Sequence, residues 1–309
     1  MTATEGGMVR QRIPARLEDN PSMTEDDPGY ESRLEGLGSE QLVRAMRWGD
    51  WNIIEGAFFD CWHDWVQRGG IVRPFKIPDW WMRFRSHDWG SARPFSNGWW
   101  AVAGEDVEHE GFRIPRGALV RYREWYGVKR DEQSAPIENT GLKMTAKAVG
   151  RGIVKRTPDT EKISYTVADP AIFAKDGGPS IMERLMQGGV KGIRRADNKR
   201  VSQKGALGGW DMMRERFIGE DGRPMIYFFD TCLDAIRTIP ALQHDEHRPE
   251  DLDSKGEDHV ADEVRYACMS RPYVRPKPVK AKSITAKPTF NDAVARHMKR
   301  MRAEREASL

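Results

Sequence analysis

From residue 80 onward the apolar positions switch repeatedly between a period of two and a period near 3.6, and the switches predict an order of elements. Alternating or apolar runs at 81–87, 98–103 and 118–125, separated by Gly, Pro and Asp-rich turns, predict three strands joined as an antiparallel meander. Leu142, Ala146, Val149 and Ile153 fall at helical spacing and predict a helix over 141–154. A strand over 162–168 follows and stops at Asp169-Pro170. Helices at 180–187 and 210–217, a short strand near 190–194, an apolar strand at 224–229 and helices at 232–242 and 257–269 complete this part. Strands that begin as a meander and then alternate with helices specify an α/β fold, a mixed β-sheet flanked by helices on both faces.

The flanks read differently. Residues 1–79 carry turn punctuation at Asp19-Asn20-Pro21 and Asp27-Pro28-Gly29, a helical pattern at 39–48 capped by Ser39, and a second at 56–67 stopped by Gly69-Gly70. They predict a helical linker arm. Residues 80–270 hold the sheet, in outline a ribonuclease H type of architecture. Residues 271–309 turn to Pro and Lys, an extended basic tail in which 290–305 has the spacing of a basic helix.

Charge sharpens this division. The chain sums to +3, but residues 271–309 hold eleven Lys/Arg against three Asp/Glu, which leaves the preceding part acidic. An acidic body with a basic tail suits a carboxylate-lined metal site joined to an arm that seeks polyanions. Three cysteines without CxxC spacing argue against a disulfide framework or a zinc site and suit a reducing cytoplasm. No apolar run approaches the roughly 18 residues of a membrane span, so no membrane partner is expected. Ten of the eleven tryptophans lie before residue 126 and are read as core, with base stacking the alternative.

Acids recur at the ends of predicted elements. Asp88 closes the first strand ahead of Trp89-Gly90, where the glycine leaves the backbone approachable, and Asp169 closes the strand at 162–168. Asp258 and Asp262 are four apart on the last helix and so share a face, with His259 beside them. Singly, each acid has a plain structural use as a turn former or a helix-start residue. Together they predict a cluster that repels itself unless cations fill it, and hard oxygen ligands suit Mg2+ or Mn2+. Two such ions about 4 Å apart would activate a water and stabilise the leaving 3′ oxygen of a phosphodiester.

These residues also resemble a family. Arg12-Ile13-Pro14-Ala15, Leu17 to Pro21, Tyr30 with Leu34, Gly49-Asp50-Trp51, Glu55-Gly56 and Phe58-Phe59 are similar to the segment that joins the ATPase and nuclease domains of phage terminase large subunits. Asp88-Trp89-Gly90, Val167-Ala168-Asp169 and the run from Asp258 to Tyr266 look like that family's three nuclease motifs, in order. Glu263 stands where the family usually has Ala and is read as one more acid near the site. The resemblance implies a ribonuclease H-like, two-metal endonuclease that cuts concatemeric double-stranded viral DNA during packaging. It implies Asp88, Asp169 and Asp262 as the metal-binding triad, with Asp258 and His259 auxiliary. Implied partners are double-stranded DNA, a terminase ATPase domain or chain, the portal and the small terminase subunit, in the host cytoplasm.

The sequence contains no GxxxxGK[ST] loop, so no ATP hydrolysis is expected of it, and the ATPase is either removed or a separate chain. Trp48, Trp51, Phe58 and Phe59 could dock that ATPase or pack on their own domain. Arg194, Arg195, Lys199, Arg200 and Lys204 form a basic stretch read as contacting DNA phosphates. Two other readings remain at this point: a different ribonuclease H-like nuclease such as a junction resolvase, and a non-catalytic DNA- or portal-binding adaptor of the packaging machine.

Overall fold

The structure is a computed structural model and describes residues 2–3, 9–10, 57–271 and 298–300. The arm before residue 57, with its helix at 39–48, and nearly all of the tail lie outside the described residues. Within the tail, residues 298–300 are helical. Residues up to 273 and from 274 onward form two separate units.

The body is built on one seven-stranded sheet. In chain order its strands are β1 (Ile71–Val72), β2 (Arg83–Asp88), β3 (Ser96–Val102), a small hairpin β4 (Val107–His109) and β5 (Phe112–Ile114), then β6 (Leu119–Tyr126). A second short ribbon, β7 (Val128–Arg130) with β8 (Pro136–Gly141), precedes β9 (Ile163–Ala168), β10 (Ile193–Arg195) and β11 (Ile226–Phe229). The order across the main sheet is β10-β9-β2-β3-β6-β11-β1. β3 pairs antiparallel with both β2 and β6, and every other pairing is parallel. The expected meander is therefore present as β2, β3 and β6, with the hairpin β4–β5 inserted into its second connection.

Helices lie on both faces. They are α1 (Trp62–Gln67), α2 (Ala146–Lys155), α3 (Ile181–Gln187), α4 (Gly209–Ile218), α5 (Leu233–Thr238) and α6 (His259–Ser270). α6 packs across β2, β3 and β9 and also touches α4 and α5, so nearly all of its residues are buried. On the opposite face Thr157, just past α2, accepts hydrogen bonds from Arg85 and from Trp99 Nε1 (2.9 Å). Alternation along the strands explains this division. Phe84, Ser86 and Asp88 face α6, while Arg83, Arg85 and His87 face the other way.

Several element ends differ from the expected ones for local reasons. The helix expected from residue 141 begins at Ala146 because Gly141 still pairs with Val128 and the Thr145 hydroxyl caps the helix through Ala148 N (3.3 Å). The run at 232–242 breaks into α5 and a 3-10 turn, Ile239–Ala241, at Pro240. α3 starts on a full capping box between Ser180 and Glu183. Gly90, read as leaving the backbone approachable, is approached by its own loop: a Cβ there would meet the Arg93 and Pro94 carbonyls.

The tryptophans are mainly core. Trp65, Trp99, Trp100 and Trp210 are fully buried, whereas Trp80 is exposed. Phe58 and Phe59 are buried too, in edge-on contact with Trp210, so they pack on their own body and are not a free docking face. Cys61, Cys232 and Cys268 are free thiols. Among the described residues no helix is long and apolar enough to cross a membrane.

Candidate active site

The site forms where β2 and β9 end. His87 is the parallel partner of Ala168, so Asp88 and Asp169, the next residues, leave adjacent strands side by side, about 4.8 Å apart in the pairing direction. Asp169 N donates to His87 O (3.3 Å), which ties the two ends together. Asp169 also caps the following 3-10 turn, Pro170–Phe173, by accepting from Ala171 N (3.0 Å). α6 enters above these ends with Asp258 at its N-cap. An open cavity of about 350 Å³ results, lined by Asp88, Asp169, Asp258, His259 and Asp262 together with Trp89, Arg93, Asn198, Arg200, Arg265 and Tyr266. All five of the acidic and histidine positions singled out in the sequence are thus brought to one cavity.

Burial makes this cluster electrostatically tense. Desolvation, added to by the Asp262 and Asp169 charges, pushes Asp88 up to about 7, against the pull of its hydrogen bond from His259 Nδ1 (3.1 Å). Asp258 is pushed up to about 6 by burial and by Asp262. Burial alone would depress His259, but the bond to Asp88 and the surrounding carboxylates raise it overall. Its Nε2 is buried without a hydrogen-bond partner among the described residues.

Two arginines temper the repulsion. Asp262 Oδ1 accepts from Arg265 Nε (3.0 Å) and Nη2 (2.7 Å), and Arg200 Nη1 lies 3.5 Å from Asp262 and 4.0 Å from Asp258. Arg200 is itself anchored to Asp251 (2.8 Å), which also accepts from Trp210 Nε1 (2.8 Å). Among the described residues no three His, Cys, Asp or Glu side chains are placed together to hold a metal ion. The donor set nonetheless fits a hard divalent cation. Several carboxylates face one cavity, and buried Asp88 and Asp258 are destabilised as anions until positive charge joins them.

The five basic positions separate. Arg194 and Arg195 stand on the edge strand β10 and are exposed, as are Lys199 and Lys204, while Arg200 is half-buried in the acid cavity. The network of Arg265, Arg200 and Asp251 has no counterpart in the sequence reading. Arg265 carries a usable signal, since it lies three residues past Asp262 on a helix. Glu263 is not in the cavity. It points the other way, fully buried against Arg121, Ser86, Ser96 and Trp100, so the expectation of an additional acid at the site is corrected.

Behind the cavity, His87 is fully buried, and burial followed by the Arg85 charge pushes it down to about 4 against weaker hydrogen bonding to Asn97 and Ser96. Its folded value lies below the unfolded one, so the unfolded chain binds the proton first and stability is lost as pH falls from about 7 to 4, by up to about 3 kcal/mol. Asp88 and Asp258 titrate in the same window with the opposite sign. Urea denaturation of wild type and His87→Gln in EDTA isolates the effect: the gap between them should shrink toward pH 4, and a pH-independent gap would refute it.

No family model matches the sequence, and no curated protein matches it. Among solved structures, the large terminase of a thermophilic bacteriophage matches at 19% identity with a TM-score of 0.50, over 82% of this chain and 53% of that one. The chain shares a fold with a phage large terminase. It spans about half the length of that protein. The P22 large terminase nuclease domain matches at 16% identity and TM-score 0.45, covering 71% of this chain and 94% of that one. The large terminase nuclease of thermophilic phage G20c, solved with bound cobalt, matches at 7% and 0.42, covering 70% and 97%.

Proposed function

We propose that this chain is the nuclease part of a phage large terminase, a ribonuclease H-like endonuclease that cuts concatemeric double-stranded viral DNA during packaging. The observation that carries the reading is the emergence of Asp88 and Asp169 from adjacent parallel strands beneath Asp258, His259 and Asp262 of α6. We assign Asp88, Asp169 and Asp262 to hold two Mg2+ or Mn2+ ions. When bound, these would supply an activated water and a counter-charge for the departing 3′ oxygen. The chain's own part is to hold that water and the phosphodiester in line. His259 favours the ionised form of Asp88 by donating through Nδ1, and Asp258 adds negative charge to the cavity. Arg265 orients Asp262, and Arg200 provides positive charge until the metals take that place. In this reading residues 1–79 belong to the junction with an ATPase domain or chain, residues 271–309 form a basic tail toward DNA, and the portal and small terminase subunit are partners in the host cytoplasm.

Incubating supercoiled plasmid with the full chain tests the proposal. Nicked and linear products should form with Mg2+ or Mn2+ and disappear when EDTA is added. Cutting that survives EDTA would exclude the metal-dependent reading.

A further inference from the structure

Tyr165 and Val167 lie on the same face of β9 as Asp169, four and two residues back along the strand. There a second open cavity, of about 260 Å³, is lined by Tyr165, Val167, Arg194, Arg195, Ser270 and Arg271. Its charges are one-sided. The guanidinium of Arg194 lies 4.8 Å from the Tyr165 ring centre and that of Arg271 5.6 Å from it. Arg271 Nε donates to the Tyr165 hydroxyl (3.1 Å), which is also 3.1 Å from Ser270 Oγ. Tyr165 is buried and stacked on Phe84, so it forms a fixed floor.

Elsewhere in the body some arginines, such as Arg68 and Arg85, are held by carbonyls or hydroxyls, and many, such as Arg121, Arg123, Arg130, Arg200, Arg237 and Arg265, face a carboxylate. Among the described residues none faces Arg194, Arg195 or Arg271. The C-terminal end of α6 can account for one positive charge here, that of Arg271, but not for that of Arg194 as well. Two guanidiniums, those of Arg194 and Arg271, gathered over one ring repel each other unless an anion joins them, and planar guanidinium forks match the oxygens of a phosphate, while the Arg195 guanidinium lies over Phe173.

We propose that this cavity seats a backbone phosphate of the DNA duplex whose scissile group lies at the acid cavity, an assignment that rests on the nuclease reading. Four residues of strand separate Tyr165 from Asp169, about 13 Å. That is about four base steps of axial rise, so one duplex lying along the sheet edge reaches both cavities. The arginines set the register of the strand, and the acids cut it.

The test uses the full chain and a short fluorescent duplex, with binding followed by anisotropy in EDTA across a salt series. Arg194→Ala/Arg271→Ala should weaken binding roughly tenfold or more. It should also make the dependence of log K on log salt shallower by about 2. The double Lys variant should restore the slope but only part of the affinity, because charge returns without the fork. Because Arg271 also braces Tyr165, Arg194→Ala/Arg195→Ala, confined to exposed side chains of the edge strand, provides a second variant expected to lose affinity with unchanged melting temperature. Wild-type affinity and slope in both Ala variants, while the wild type still cuts plasmid with Mg2+, would overturn the phosphate seat and leave the nuclease reading standing. A wild type that neither binds duplex nor cuts plasmid would overturn both.

Discussion

Replacing Glu263 with alanine is expected to cost about 3–5 kcal/mol of stability, the usual penalty for stranding one member of a buried ion pair. Glu263 and its partner Arg121 are both fully excluded from solvent. The carboxylate also accepts from Ser86, from Ser96 (3.2 Å) and from Trp100 Nε1 (3.1 Å), so its removal leaves several donors without a partner at once. The space for this network exists because residue 98 is glycine: a Cβ there would collide with both Arg121 Nη1 and Glu263 Oε1. Glu124 cannot take over the role. It is 3.5 Å from Arg121 and already accepts from the backbone of Asp234 (2.7 Å) and Ala235 (3.2 Å) at the start of α5. Domains of this size have total stabilities of about 5–15 kcal/mol, so Glu263→Ala should populate unfolded chain under mild urea. A double change of Glu263 and Arg121 to Leu and Met should cost far less than the sum of the single changes. A urea midpoint for Glu263→Ala indistinguishable from wild type would show that the pair does not hold α6 to the sheet.

That network marks what can and cannot be read from sequence. Asp88 and Asp169 are legible because period-two runs end sharply at Asp-Trp-Gly and Asp-Pro, and strand ends are where side chains escape the sheet. The start of α6 is legible for a related reason, as a cluster of acids ahead of a helical run. Glu263 is misread when it is judged by its neighbour in sequence, Asp262. One residue along a helix is about 100° of rotation, and Glu263 falls in the row of Val260, Val264 and Ala267 that faces the sheet. A carboxylate within an apolar row signals a buried cation, and that signal is present in the sequence. The identity of the cation is not, since Arg121 is 142 residues away. Arg200 is illegible in another way. Among Arg194, Arg195, Lys199 and Lys204 it looks like one more exposed charge, and only the return of the chain through Asp251 and Trp210 draws it into the acid cavity. β1, β4, β5 and β7, of two or three residues each, escape the sequence reading because they owe their existence to pairing partners rather than to their own pattern, and β8 escapes it because its run Glu138-Asn139-Thr140 is polar without alternation.

Replacing Asp88 with asparagine is expected to lower plasmid cleavage by on the order of a thousandfold, or about 4 kcal/mol in the barrier, while making the protein more stable. Both effects have one cause. The Asp88 carboxylate is buried and faces Asp262 and Asp169, so its folded value of about 7 stands well above that of an unfolded aspartate. The folded chain then holds a proton that the unfolded chain releases, and the ionised form costs stability progressively as pH rises from about 4 through 7. Asparagine has no charge to strand there, and its amide oxygen can still accept from His259 Nδ1. In EDTA at pH 8, Asp88→Asn should therefore gain up to a few kcal/mol in urea denaturation, and the gain should vanish near pH 4. The same missing charge removes an anchor for the divalent cations on which the proposed reaction depends, so added Mg2+ or Mn2+ should stabilise wild type more than the variant. Substitutions that merely damage the fold lower activity and stability together; a site that holds its acids against their own repulsion moves the two in opposite directions. An Asp88→Asn protein that cuts plasmid at the wild-type rate would remove Asp88 from the chemistry. One that loses activity along with stability would make Asp88 a structural residue instead.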